Sequence, residues 1–267
     1  MFYAAADQKK CIIFASDTKL TKKRYFMSLK ITIDYLRRVS IQNYFSAIFL
    51  LASLQVYSQP SYEPGSWLMG TSTIRLNQKF GLHAEAQYRD HGIFNEVEQI
   101  LLRGGVNFHY NPNLIFTAGY GNISGHLPDR EYYNKSINEH RLWEQVILRN
   151  TMGRLITEHR YRLEQRWIST NKNNSYQDRM RYCLRLTVPI NKSKLEERTF
   201  FISVYDEIFI NFNKNPFDRN RAYAAIGYQF TPLINVQAGY LAQTVNIQTK
   251  QFLQLALFYN LNLFKGS

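Results

Sequence analysis

The stretch from Glu139 to Trp167, EHRLWEQVILRNTMGRLITEHRYRLEQRW, limits the fold more than any other part of the chain. Its second half alternates without a slip. Arg160, Arg162, Glu164 and Arg166 fall on one side, and Tyr161, Leu163, Gln165 and Trp167 on the other. A repeat of two residues belongs to extended backbone, whose successive Cβ atoms point to opposite faces. A strand with one charged face and one mostly apolar, aromatic face separates two media. In a soluble sheet the apolar face looks inward to a core. In a membrane barrel it looks outward to lipid, and the charges line the interior.

The same two-faced pattern recurs along the chain. In 250–264, Leu253, Leu255, Leu257, Tyr259, Leu261 and Leu263 form one row, opposite Gln254, Ala256, Asn260 and Asn262. In 177–189, Met180, Tyr182, Leu184, Leu186 and Val188 oppose Arg179, Arg181, Cys183, Arg185 and Thr187. In 98–110, Ile100, Leu102, Val106, Phe108 and Tyr110 oppose Gln99, Arg103, Asn107 and His109. Turn chemistry divides the chain into strands over 66–76, 80–90, 98–110, 114–122, 139–152, 155–167, 177–189, 199–211, 219–230, 234–243 and 250–264. These exceed the five or six residues usual in soluble domains and suit tilted spans of a bilayer. Aromatic residues gather at strand ends (Tyr88, Tyr110, Tyr120, Tyr228, Phe230, Phe264), as in an interfacial girdle.

From the third strand on, the connections alternate in length. Residues 111–113, 153–154 and 231–233 are short, whereas 123–138, 168–176 and 212–218 are long; 190–198 breaks the scheme. Short periplasmic turns and long external loops are the outer-membrane arrangement. Two features resist it. Eleven strands are read, whereas single-chain bacterial barrels have an even number, so ten or twelve is expected and twelve favoured. Glu144 also lies in phase with Leu142, Val146 and Leu148, which turns a carboxylate toward lipid unless a bulge intervenes near Trp143.

Eighteen Phe, 19 Tyr and 3 Trp favour an all-β chain. The mean hydropathy of −0.36 does not argue against a membrane, because a barrel's inner and outer faces cancel in any average. The net charge of +13 is split almost evenly, +6 in residues 1–58 and +7 in the remainder. The first of these segments is read as an extension followed by a secretory signal beginning at Met27. Lys30, Arg37 and Arg38 form its basic region, Tyr44 to Leu54 its apolar run, and cleavage is expected after Ser58. Residues 59–267 then form one domain. Of the two cysteines, Cys11 falls in the leader, so Cys183 has no partner for a disulfide or a CxxC metal site.

The blocks GSWLMGTSTIRLNQKFGLHAEAQYRD, EHRLWEQVILR, HRYRLEQRW, VYDEIFIN, NRAYAAIGYQF and QAGYLAQT occur in that order. Together they resemble the bacterial family known as domain of unknown function 2490 (DUF2490), over roughly residues 66–264. The resemblance implies an exported outer-membrane β-barrel and implies no activity.

The strand phases set Glu85, Arg89, Arg103, Arg141, Arg160, Arg162, Glu164, Arg166, Arg179, Arg181, Arg185, Glu207 and Arg221 on the interior face. One reading is structural: Glu164 and Glu207 among neighbouring arginines form an ion-pair ladder that braces the barrel. The other is an anion-favouring passage, because guanidinium groups in excess attract phosphate, carboxylate or sulfate. An enzyme of the lipid interface would need pairs such as His140 with Glu144, His159 with Glu158, or Ser124 with His126. None lies in a GxSxG elbow or an HExxH helix. Asp206 and Glu207 point to opposite faces and cannot share a metal. The expectation is a transmembrane antiparallel up-and-down β-barrel in the outer membrane of a Gram-negative bacterium. It should meet outer-membrane lipid and small anionic solutes, with no cofactor, no metal and no nucleic-acid partner.

Overall fold

The structure, a computed structural model, describes residues 64–92, 97–126, 136–171, 173–212 and 215–264. The leader reading over 1–58 lies outside the described residues. Eleven strands follow one another: β1 (Gly65–Arg75), β2 (Phe80–Asp90), β3 (Val97–Asn111), β4 (Leu114–His126), β5 (Ser136–Met152), β6 (Leu155–Thr170), β7 (Asn174–Pro189), β8 (Thr199–Asn211), β9 (Phe217–Gln229), β10 (Ile234–Val245) and β11 (Gln248–Asn262). Each pairs antiparallel with its neighbour in sequence, and β1 closes the barrel on β11.

The closure corrects the expected parity. The barrel has eleven strands, not twelve, and the β1–β11 seam is parallel, running from Gly65 opposite Phe252 to Arg75 opposite Asn262. The reason is directional: each hairpin reverses the chain, so after ten reversals the last strand runs the same way as the first. An even count is needed only when the seam is antiparallel. As a consequence, β1 starts at one rim and β11 finishes at the other.

The alternation of short and long connections is also corrected. β6 continues to Thr170 and β7 begins at Asn174, so the expected loop over 168–176 shrinks to a tight turn in which Thr170 N donates to Asn173 O at 2.9 Å. β4 and β5 likewise reach into 123–138. Both rims therefore carry connections of mixed length. Asn, Ser and Lys read as loop formers, yet at a strand end their side chains face solvent while the ladder continues, which is why strand propensity depends so strongly on context.

The walls are inverted relative to a soluble sheet. On β11, Leu253, Leu255 and Leu257 are 48%, 49% and 47% exposed, whereas Gln254 and Ala256 are buried at 4% and 1%. On β6, Tyr161, Leu163 and Trp167 are exposed while Arg162, Glu164 and Arg166 are buried. Aromatic groups cluster on the outer wall near the rim where β11 ends. Phe80 meets Phe108 at 5.6 Å between ring centroids, and Tyr228 meets Phe200 at 4.5 Å and Phe230 at 4.7 Å. Trp167 and Tyr176 pack at 5.4 Å toward the opposite rim.

Glu144 stays on the outer wall. The register runs unbroken past Trp143 on both sides, so no bulge turns the carboxylate inward. Its Oε2 accepts a hydrogen bond from Gln165 Nε2 at 3.2 Å. The three register shifts fall near strand ends, at Arg89/Asp90, His109/Asn111 and Phe209/Ile210, where an extra residue re-aims the chain without disturbing the ladder between.

Side chains fill the interior. Trp143, Phe201 and Phe209 are each 1% exposed on inward-facing positions. Backbone without side chains makes room for two of them: a Cβ at Gly119 or at Gly227 would collide with the rings of Trp143 and Phe201 respectively. Toward the rim where β1 begins, Trp67, Tyr223, Leu241 and Phe252 form an apolar cluster, with Trp67 edge-on to Phe252 at 5.6 Å.

Candidate functional site

The site grows from Glu164, at the middle of β6 and fully enclosed. Arg179, its direct partner on β7, donates Nη2 and Nε to Glu164 Oε2 at 2.6 and 2.9 Å. Arg181 Nη1 donates to Oε1 at 2.7 Å, and Arg141 Nη1 reaches the same oxygen at 3.3 Å. Arg162 Nη1 approaches at 3.9 Å. One carboxylate thus gathers four guanidinium groups, because period-two strands bring the inward rows of β5, β6 and β7 into register.

Arg181 links this centre to a second one. Its Nη2 donates to Glu207 Oε1 at 2.7 Å, the same oxygen that Arg160 Nη2 meets at 2.9 Å, while Arg221 Nη1 stands 3.9 Å from Oε2. Cys183, cross-strand from Glu207, is buried between them. In the other direction, Arg141 joins Glu164 to Glu139, whose carboxylate takes Arg141 Nη2 at 2.6 Å and Arg166 Nε and Nη2 at 2.8 Å each. Glu85 pairs with Arg103, its neighbour on β3, and with Gln87. Asp218 holds Arg179 and Arg219, each at 2.8 Å. A buried ion pair that loses one member costs about 3–5 kcal/mol. This network therefore couples five neighbouring strands.

Not every arginine has a carboxylate. Among the described residues Arg89 makes no ion pair: Nη2 donates to Gln87 Oε1 at 2.8 Å, and the guanidinium lies 3.5 Å from the centre of the Trp67 ring. Arg185 rests on Tyr205 at 5.2 Å and Phe258 at 6.0 Å. Arg162, which reaches Glu164 only at 3.9 Å, gives Nε and Nη2 to Gln145 Oε1 and lies 4.8 Å over Trp143. Apart from the pairs nearer the rims, Glu158 with Arg149 and Glu98 with Lys250, the interior ion pairs use Glu85, Glu139, Glu164, Glu207 and Asp218, five acids facing eleven arginines (Arg89, Arg103, Arg141, Arg160, Arg162, Arg166, Arg179, Arg181, Arg185, Arg219, Arg221). The imbalance leaves the interior positive.

Several members were not singled out from the sequence. Glu139 shares the phase of Arg141, so the period-two rule was enough to find it. Asp218 was read as loop. Trp67, Trp143 and Phe209, which bear the guanidinium faces, carry no assignment from the sequence, because aromatic rings fit either wall.

Two of the three catalytic pairs considered do not meet. His140 Nδ1 bonds to the Tyr120 hydroxyl, while Glu144 bonds to Gln165. His159 faces outward and bonds Tyr182 Oη at 2.9 Å, whereas Glu158 faces inward and takes Arg149 Nε at 2.8 Å. The His126 side chain lies outside the described residues. Asp206 and Glu207 point to opposite faces: Asp206 accepts from Asn220 Nδ2 at 2.9 Å on the outer wall. Among the described residues no group of three or more His, Cys, Asp or Glu is gathered to hold a metal ion.

The family model described as "Protein of unknown function (DUF2490)" matches residues 64–254, from the first strand into the last. The chain belongs to the DUF2490 family. This DUF2490 barrel is also 27% identical over 227 residues to an uncharacterised protein of Methylorubrum extorquens, a match spanning 80% of the chain and 96% of that relative. No solved structure matches the DUF2490 chain.

Proposed function

We propose that this DUF2490 protein is an integral β-barrel of the outer membrane of a Gram-negative bacterium, with an arginine–carboxylate core that braces the wall. The inverted wall carries the reading. Half-exposed rows such as Leu253, Leu255 and Leu257 on β11 and Tyr161, Leu163 and Trp167 on β6 face outward, while Gln254 and Ala256 on β11 and Arg162, Glu164 and Arg166 on β6 are buried. Exposed apolar area on this scale is unfavourable in water and favourable in hydrocarbon, where the closed ladder also satisfies every strand edge. The test is fractionation of cells expressing the full chain. Recovery in outer-membrane vesicles, resistant to alkaline extraction, is the expected result. Recovery in cytosol or free periplasm would overturn the reading.

Within that membrane the interior favours bracing over open diffusion. Arg221 on β9 reaches Trp67 on β1 at 4.9 Å, and Arg185 on β7 reaches Phe258 on β11 at 6.0 Å, so side chains from distant staves meet. Refolded protein in a planar bilayer is expected to pass no steady current. Passage of small anionic solutes is the second reading, supported by the excess of arginine over acid. A steady anion-selective conductance would make it the better one.

A further inference from the structure

Near the rim where β1 begins, two guanidinium groups share one aromatic ring. Arg89 lies 3.5 Å and Arg221 4.9 Å from the centre of Trp67. Arg89 is buried, makes no ion pair among the described residues, and leaves its Nε without a hydrogen-bond partner. The indole Nε1 of Trp67 and the hydroxyl of Tyr223 are likewise buried and unmatched. Nearby acids do not pair with Arg89: Asp90, next in the chain, accepts Ser66 Oγ on Oδ2 at 3.1 Å and keeps a buried, unmatched Oδ1. Glu207 approaches Arg221 only at 3.9 Å while bonding Arg160 and Arg181 more closely, and Glu98 takes Lys250 Nζ at 2.5 Å.

A stacked ring returns less than the burial of an unpaired guanidinium costs, so stacking on Trp67 does not settle the charge of Arg89. What is missing is negative charge with acceptor lone pairs, surrounded by donors. We infer that Arg89 and Arg221, with the edge of Trp67, form a seat for a small oxyanion inside the barrel. Planar guanidinium forks match phosphate, sulfate and carboxylate oxygens alike. The inference rests on the reading of the interior as holding more arginine than acid and is independent of where the barrel resides.

The test is calorimetric titration of full-length protein, folded in detergent, with inorganic phosphate, sulfate and succinate in separate arms and chloride as the background salt. Saturable binding in any one arm is expected, and the arm that responds identifies the oxyanion. Arg89→Gln and Arg221→Gln should each weaken it tenfold or more. Arg149→Gln, at the other rim and paired with Glu158, should leave it unchanged. Arg89→Lys keeps the charge without the fork and should fall between, which covers the case where the Gln variant does not fold. The bound oxyanion should also raise the thermal midpoint of the wild type, because it binds the folded state alone. No saturable binding in any arm, or wild-type binding by Arg89→Gln, would overturn the seat. The membrane reading would be untouched, since it fails only by fractionation.

Discussion

The indole of Trp143 lies against the bare backbone of Gly119, its cross-strand neighbour, so closely that a Cβ there would stand 2.7 Å from the ring. Gly119 is thus fixed by the Trp143 ring and, closer still, by the backbone carbonyl of Gly104, and not by a turn. Gly119→Val should destabilise the barrel by about 1–3 kcal/mol, the usual cost of overfilling a packed interior. Urea unfolding followed by circular dichroism checks this, and Trp143→Leu in the same chain should recover part of the loss.

Glu164 is the acid on which most of the network depends. Glu164→Gln removes the counter-charge of Arg179, Arg181 and Arg141 together. The expected loss is about 3–5 kcal/mol, because three enclosed guanidinium groups lose a common partner. Glu196→Gln, which breaks only the exposed i,i+4 pair with Lys192, should change stability by less than about 1 kcal/mol. Equal losses in the two variants would show that the network braces nothing.

Leu255 tests the wall. Leu255→Arg on the outer face should cost about 2–4 kcal/mol of insertion into vesicles if that face meets hydrocarbon near the bilayer midplane. In water the same change would be neutral or helpful. Insertion yield into phosphatidylcholine vesicles, scored by protease protection, decides the sign.

Cys183 reports on the interior. It is 2% exposed and flanked by Arg160 and Glu207, its cross-strand neighbours. In a Cys11→Ser chain, a charged maleimide added to the folded protein should leave Cys183 unmodified, and labelling should be complete in denaturant. Rapid labelling of the folded barrel would mean that water runs past this level, which belongs to the passage reading.

How much of this was legible in the sequence depends on what each signal senses. Period-two alternation depends on two neighbouring residues, so the faces of β6, β7 and β11 could be read directly, and with them the inward row from Arg160 to Arg166. Closure could not be read, because no local pattern says which strand meets β1. Parity was therefore borrowed from other barrels and came out wrong. Loop lengths failed at Ser169 and Asn174, polar residues that lie within strands. Glu139 was within reach through the phase of Arg141 but stood at an uncertain strand start. Partners across the interior, such as Arg221 over Trp67, join β9 to β1 and leave no trace in local spacing.

The parallel seam has a consequence for how the chain reaches its final state. Ten of the eleven ladders join neighbours in sequence and can zip as local hairpins. The eleventh must bring Gly65 beside Phe252 from opposite ends of the described chain. Loop-closure entropy is met there in a single late step. Until that step a curled ribbon with two raw edges exists, and whatever assists assembly in the cell has to guard those edges.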